Sequence, residues 1–345
     1  MDEYVRATGR RREGGARIVR KSVVLGLWLA ASYVLLVFFA SSWWEVALLA
    51  TSLGLAAAGV GFNVQHDGGH GAYAATSRGN HLAALTLDLV GGSSYVWRFK
   101  HSVIHHTWTN LDGIDDDIDA APFLRLAPSQ PRHWYHRLQH WYAWLLFGFL
   151  PPKWAFYDDF KAVAAGRIGS RPMPRPRGAD LALFVAGKVV FTALVFGIPL
   201  AAGHSLLATL FGYGVYALVT GVCTSLVFQL AHCVESTDFP SGDAQSARAS
   251  RPFFEHQLAT TADFSPRNPV LTWYVGGLNY QVEHHLLPQV SHVHYPAIAP
   301  IVRAACAEHG VPHLQYDGFF GALRSHLRHL RRLGERSSPQ PAAAA

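Results

Sequence analysis

Four long apolar stretches, at about residues 22–40, 44–63, 181–202 and 206–230, constrain this chain more than any other feature. Each approaches or exceeds the roughly 20 residues that an α-helix needs to cross a hydrocarbon core of about 30 Å. Half of the 345 residues are hydrophobic and 15% are charged, against roughly 25% charged in a typical soluble domain. The stretches fall into two pairs. Ser41-Ser-Trp-Trp44 separates the first pair and Gly203-His204 the second; paired tryptophans suit a membrane–water interface. Ala56, Ala57, Ala58, Gly59 and Gly61 allow close helix contact in the second stretch. The expected fold is an all-α integral membrane protein with four transmembrane helices in two hairpins, plus interfacial helices and a cytoplasmic helical cap.

The first stretch is longer than the 7–15 residue apolar region of a cleaved signal, and a second follows at once, so it reads as a retained helix. Arg6, Arg10, Arg11, Arg12, Arg17, Arg20 and Lys21 crowd ahead of it and account for much of the net charge of +6. That pattern is a cytoplasmic topology signal, preferred here to a nucleic-acid-binding arm. The division expected is a basic disordered arm over 1–21, a membrane domain over 22–300, a cytoplasmic helical tail over 301–333 and a disordered tail over 334–345. Cys223, Cys233 and Cys306 have neither metal spacing nor a disulfide framework.

Histidine is abundant, at 20 residues, and it clusters. His66 and His70 lie at i, i+4, as do His101 and His105, with His106 next in the chain. Gln281, His284 and His285 lie at i, i+3 and i+4. Residues at these spacings share a helix face, although His106 falls about 100° round from His105 in an α-helix. His232 closes the fourth apolar stretch. Any one cluster is a weak signal; three beside apolar segments point to metal. Topology agrees. With the N-terminus cytoplasmic, two spans bring the first two clusters to that side. The basic linker 161–179 belongs there too, and two more spans bring His232 and the third cluster back. Eight imidazoles and one amide are too many for one tetrahedral ion and suit two ions of coordination four to six.

Between these landmarks the chain is less regular. His81–Val96 carries Asp88 and a glycine pair, so it is expected to be re-entrant or interfacial. The aromatic-rich 133–150 is expected to lie on the membrane surface. Lys188 inside the third span must face the protein interior or snorkel. Residues 107–119 hold five aspartates, one or two of which are expected to orient ligating histidines, since such a histidine usually gives its second N–H to a carboxylate or carbonyl. The candidates for that outer role are Asp67, Asn110, Asp112, Asp116 and Glu283. Trp97 and Trp108 flank the second cluster and are candidates to line a substrate tunnel. His256, His292 and His294 lie near the third cluster and read more as hydrogen-bonding residues than as ligands.

The three clusters resemble the histidine boxes of membrane fatty acid desaturases, over about Asn63 to Pro296. Three phrases are similar to the front-end, linoleoyl-CoA desaturase-like branch: Asn63-Val-Gln-His-Asp-Gly-Gly-His70, His105-His-Thr-Trp-Thr-Asn110 and Gly276-Gly-Leu-Asn-Tyr-Gln-Val-Glu-His-His-Leu-Leu-Pro288. In that branch glutamine replaces the first histidine of the third box, as at Gln281. The resemblance implies two iron ions held by His66, His70, His101, His105, His106, His284 and His285, with His232 matching an additional ligand and Gln281 offering a weaker donor. It implies dioxygen and two electrons as co-reactants and a cis double bond as product. The substrate implied is an acyl-CoA or a membrane acyl lipid. The chain contains no His-Pro-Gly-Gly haem motif, so a separate electron donor is expected: a ferredoxin, a small haem protein or a flavin-linked reductase. A hydroxylase or ketolase on the same scaffold is the nearest alternative. A non-catalytic metal-binding membrane protein is a remote one, because its ligands would sit near mid-span. No nucleic-acid partner is implied.

Overall fold

A computed structural model describes residues 11–242 and 251–335. The start of the basic arm (with Arg6 and Arg10), part of the polar 235–250 segment and the tail beyond 335 lie outside it. The fold is helical, with two sheets of two short strands each among the described residues.

Among the described residues four helices are long and apolar enough to cross a bilayer: Gly15–Phe38, Trp43–Gly69, Ala179–Ala201 and Leu206–His232. The first, α1 (Gly15–Phe38), begins seven residues before the expected span at 22. Residues 15–21 are therefore helix and not an unstructured arm. Lys21 is buried, and its Nζ lies 3.0 Å from His292 Nε2, which fastens the start of α1 to the cap. The second helix, α2 (Trp43–Val60), starts with a capping box: Glu45 Oε2 accepts from the Ser41 and Ser42 N–H groups at the corner.

Helix length positions the chemistry. The spans Trp43–Gly69 and Leu206–His232 have 27 residues each, which is about 40 Å of helix against a hydrocarbon core of about 30 Å. Both end in histidine-bearing turns, so His66 and His232 extend past the apolar layer. The second of these helices, here α6 (Leu206–His232), lies close against α2: Thr220 Oγ1 donates to the Gly54 carbonyl at 3.3 Å. The third span is α5, Ala179–Thr192, continuing to Ala201. Leu27, Val189 and Leu207 are each more than 60% exposed. Such a belt is an apolar surface that lipid, not water, solvates.

Lys188 does not snorkel. It is buried, and its Nζ reaches Asp159 Oδ2 at 2.6 Å and the Gly91 carbonyl at 2.8 Å. It thus joins the third span to the segment before it and to the loop ahead of the second box. As expected, 81–96 does not span: it breaks into short helices, Ser77–Ala84, Thr86–Leu89 and α3 (Ser94–Trp97). The aromatic segment forms α4 (Gln139–Gly148), which leaves Trp141 and Leu145 exposed. The cap consists of α7 (Phe253–Thr260), α8 (Gln281–Leu286), α9 (Tyr295–Glu308) and α10 (Phe319–Gly334). Of the strands, β1 (Arg167–Ile168) pairs antiparallel with β2 (Arg171–Pro172), and β3 (Asp263–Phe264) pairs parallel with β4 (Gln315–Tyr316).

Where α6 meets α4, a Cβ added at Gly221 would lie 2.1 Å from the Phe147 carbonyl oxygen, while one at Gly214 on the same helix meets nothing within 4 Å. Gly221→Val is expected to lower thermal stability in detergent by at least the roughly 1–3 kcal/mol of an overpacked core. Gly214→Ala is expected to leave the unfolding midpoint unchanged or slightly raised. Equal midpoints for the two variants would contradict this account of the contact.

Candidate metal centre

Two widened turns build the centre. At the first box the His66 N–H reaches the Gly61 carbonyl, five residues back; at the second the His106 N–H reaches the His101 carbonyl, also five back. These are π turns, Gly61–Gln65 and Arg98–His105, of the kind often found at functional sites. Their effect on direction is large. In an α-helix His106 would point about 140° from His101; at about 4.4 residues per π turn that angle shrinks to about 50°. All three histidines of the second box can then face one point. Their ring centroids lie 4.9–5.6 Å apart.

Glycines allow the close approach. A Cβ on Gly69 would lie 2.1 Å from the Trp97 ring, and one on Gly68 would lie 2.6 Å from the Ala84 nitrogen. Gly276 and Gly277 have φ of +63° and +66°, and a Cβ at Gly276 would sit 2.2 Å from the Phe62 carbonyl oxygen. Asn63 completes that junction, donating to the Tyr274 carbonyl at 2.8 Å. The turn before the third box is thereby held against the helix of the first.

The eight histidines converge as two sets linked through His106. His66, His70, His101 and His284 can present nitrogens within 4.8 Å of one another, and so can His105, His232 and His285. His106 lies between, grouping with His284 and His285. Every one of the eight except His70 and His101 is under 9% exposed, and His105, His232 and His284 are at 0%.

Hydrogen bonding separates the two nitrogens of most of these rings. His105 Nδ1 is 2.9 Å from Asp115 Oδ2, His284 Nδ1 is 3.1 Å from the Tyr295 hydroxyl, and His285 Nδ1 is 2.8 Å from Gln257 Oε1. His232 Nδ1 is 3.2 Å from the Thr260 carbonyl, and His101 Nδ1 is 3.5 Å from Asp117. The Nε2 atoms of His70, His101, His105, His284 and His285 are buried without a partner, as are both nitrogens of His106. An Nδ1–H donated outward fixes the tautomer in which Nε2 carries the lone pair. Buried Nε2 lone pairs facing one another without donors are what metal cations would satisfy, and the residues fit such ions.

Electrostatics agrees. Burial first, and then the neighbouring imidazoles, pull His70, His106, His284 and His285 well below the usual imidazole range. Neutral rings are the form that binds metal. Burial lowers His101 as well, against the opposing Asp117. At His105 burial pulls the same way, but Asp115 and Asp117 outweigh it and raise the ring. Asp117 itself is held below the carboxylate range: burial opposes this, and Lys100 with the two imidazoles prevails.

Several expected roles move to other residues. Asp112 accepts from Ser129 and Gln130, and Asp116 accepts from Lys100 at 2.6 Å. The aspartates on the histidines are Asp115 and Asp117, which no spacing rule separates from the other three of the run. Asp67 bonds Ser291 and His292, tying the first box to the segment after the third. Glu283 pairs with His313, 3.2 Å away; at about 100° per residue it points some 200° from Gln281, away from the metal face. Asn110 keeps its outer position, donating to the His232 carbonyl at 2.8 Å. Gln281 turns its amide nitrogen to His232 Nε2 at 3.0 Å, leaving Oε1 unpartnered. Trp97 stacks on His101 with centroids 4.5 Å apart, whereas the Arg171 guanidinium lies over the Trp108 ring, 5.1 Å from its centre. Among the described residues, His256, His292 and His294 join none of the nitrogen groups. Gln257 and Tyr295 carried no sequence signal, since neither belongs to a histidine phrase.

Residues 41–317 match the model of a family described as fatty acid desaturase. The chain is 37% identical, over 91% of its length and 84% of the relative's, to an sn-1 linoleoyl-lipid 6-desaturase of Arthrospira platensis. It is 35% identical over 98% of its length to a protein of the same name from Synechocystis sp., covering 94% of it. It is 40% identical over 92% of its length to an acyl-lipid (8-3)-desaturase of Physcomitrium patens, covering 66% of that protein. The chain belongs to the fatty acid desaturase family, in its front-end branch.

Proposed function

We propose that this enzyme places a cis double bond in a fatty acyl chain of a membrane lipid, using two iron ions held by His66, His70, His101, His105, His106, His232, His284 and His285. The observation that carries the reading is the set of buried, unpartnered Nε2 atoms on rings whose Nδ1 atoms are tethered. The lipid-linked substrate is favoured by relatives named for acyl lipids. Two iron ions held by these residues would supply the oxidising power: dioxygen, two electrons and two protons, with two hydrogens from the acyl chain, give two waters and the double bond.

The chain's own residues supply position and dryness. Asp115, Tyr295, Gln257 and the Thr260 carbonyl hold four rings at fixed orientations from outside. Burial of the cluster excludes water, which keeps the oxidant on the substrate. Trp97 walls His66, His70 and His101 on one side, and we assign it to the border of the acyl path. Gln281 acts through His232, whose Nε2 its amide faces, and becomes a ligand only if its Oε1 turns inward. The histidines lie on the cytoplasmic side, given the arginines near the start of α1 and the basic linker around Arg167, Arg171, Arg175 and Arg177. Electrons arrive from a separate carrier: a ferredoxin, a small haem protein or a flavin-linked reductase.

Expressed with a compatible donor, the enzyme is expected to add an unsaturated acyl chain to the host lipids, seen by gas chromatography–mass spectrometry. His105→Ala abolishes that product. His204→Ala retains most of it, because His204 bonds the Val37 carbonyl at the outer corner. A hydroxy or keto acid as the only new product would replace desaturation with the alternative oxidation. Asp115→Asn is expected to weaken iron retention by about 10–100-fold, measured as iron left after dialysis against a chelator. Retention equal to wild type would remove Asp115 from its assigned role.

A further inference from the structure

On the side of α8 opposite the histidines lies a second group of donors. Asp263, on β3, Glu283, on α8, and His313, just before β4, present donor atoms within 4.8 Å of one another. His313 Nε2 is 3.2 Å from Glu283 Oε1 and 3.7 Å from Asp263 Oδ2. Both carboxylates are 0% exposed, and the His313 side chain is 7% exposed. Asp263 Oδ1 accepts the Val282 N–H at 3.0 Å. Asp263 Oδ2, Glu283 Oε2 and His313 Nδ1 have no hydrogen-bond partner.

Charge and spacing both ask for a cation. Two fully buried carboxylates face one imidazole, and among the described residues neither has a lysine or arginine ion pair. The nearby Arg303 spends its guanidinium on Gln315 Oε1. Without a cation the group has to hold a proton in its place: burial and the neighbouring Glu283 push the Asp263 carboxyl well above its usual range, and buried charges need a partner or a metal. Donors bound to zinc at about 2.0–2.2 Å in tetrahedral array lie about 3.4 Å apart, and the 3.2 and 3.7 Å separations bracket that value. One imidazole with two carboxylates suits a zinc-type ion better than magnesium or calcium, which prefer oxygen alone.

We propose that Asp263, Glu283 and His313 bind a third divalent cation, of zinc type, separate from the two-metal centre. Its role is to pin the third box. Glu283 directly precedes His284 and His285, so an ion gripping it from behind fixes how α8 turns those rings inward. The parallel pairing of β3 with β4 brings the other two donors into place, with Asp263 opposite Gln315. His313 is the one of the three whose side chain is not wholly buried.

The test uses the full chain purified in detergent, loaded with iron and zinc, desalted and measured by inductively coupled plasma mass spectrometry. The wild type is expected to hold three divalent cations per chain and His313→Ala two. His105→Ala loses iron but keeps the zinc behind α8, so this site and the iron reading fail independently. A His313→Ala variant that holds as many cations as the wild type overturns the proposal, whatever the iron content of either. His313→Cys keeps a donor and guards against a variant that does not fold. Its zinc-edge X-ray absorption is expected to show a Zn–S distance of about 2.3 Å, and zinc without a sulfur neighbour in that variant overturns the assignment.

Discussion

The tethering of imidazole Nδ1 atoms from outside is the interaction on which the rest of the centre depends. A buried ring without a partner on either nitrogen has no preferred tautomer and little to fix its plane. Asp115, Tyr295, Gln257 and the Thr260 carbonyl remove that freedom for His105, His284, His285 and His232. The consequence is a concentration of Nε2 lone pairs in a space closed to water. Each unpartnered buried polar atom costs about 1–3 kcal/mol, so the arrangement opposes folding until cations fill it. Cations bound there would therefore couple to folding of the cap, as in other proteins whose sites are costly when empty. The tethers come from segments far apart in the chain, and a fault in any of them reaches the same centre.

The membrane half of the fold exists to deliver those rings to one level. Two helices of 27 residues run parallel and overshoot the apolar layer on the same side, which carries His66 and His232 beyond the lipid. The other two spans return the chain. Their apolar faces meet lipid, and α5 keeps one charge, Lys188, only because Asp159 and the Gly91 carbonyl meet it inside the protein. That contact fixes the loop carrying Gly91 and Gly92, which leads directly into α3 and the second box. An intramembrane lysine is thus part of the support for the histidines, though it lies well before them along the path.

The spans and the boxes were legible in the sequence because both depend on local pattern. Apolar runs of sufficient length and histidines at i, i+4 are read without knowing any contact. What was not legible depends on distant segments or on backbone detail. The π turns shift His106 toward His101, where an α-helical reading leaves it well round the axis. Asp112 and Asp116 look as suitable as Asp115 and Asp117 in a run of five aspartates; only the fold decides which face the rings. Glu283 illustrates the opposite case. Helical spacing alone places it behind the box, and its neighbourhood in sequence is a poor guide to its neighbourhood in space. The start of α1 was misjudged because basic residues read as a solvated arm, while Lys21 is buried against His292.

The glycines of the histidine phrases gain a physical meaning from the same geometry. In His66-Asp-Gly-Gly-His70 the two glycines face the backbone at Ala84 and the Trp97 ring at distances that no side chain tolerates. In Gly276-Gly277 the left-handed backbone and the 2.2 Å approach to the Phe62 carbonyl act together. Without these four residues, the first and third boxes could not come within one ring of each other, and His66 and His284 would not reach their 4.5 Å centroid separation. Such phrases read as labels of a family in the sequence. In the structure they are steric conditions for bringing histidines from distant parts of the chain to one centre, and the rings meet there only because the glycines take up no room.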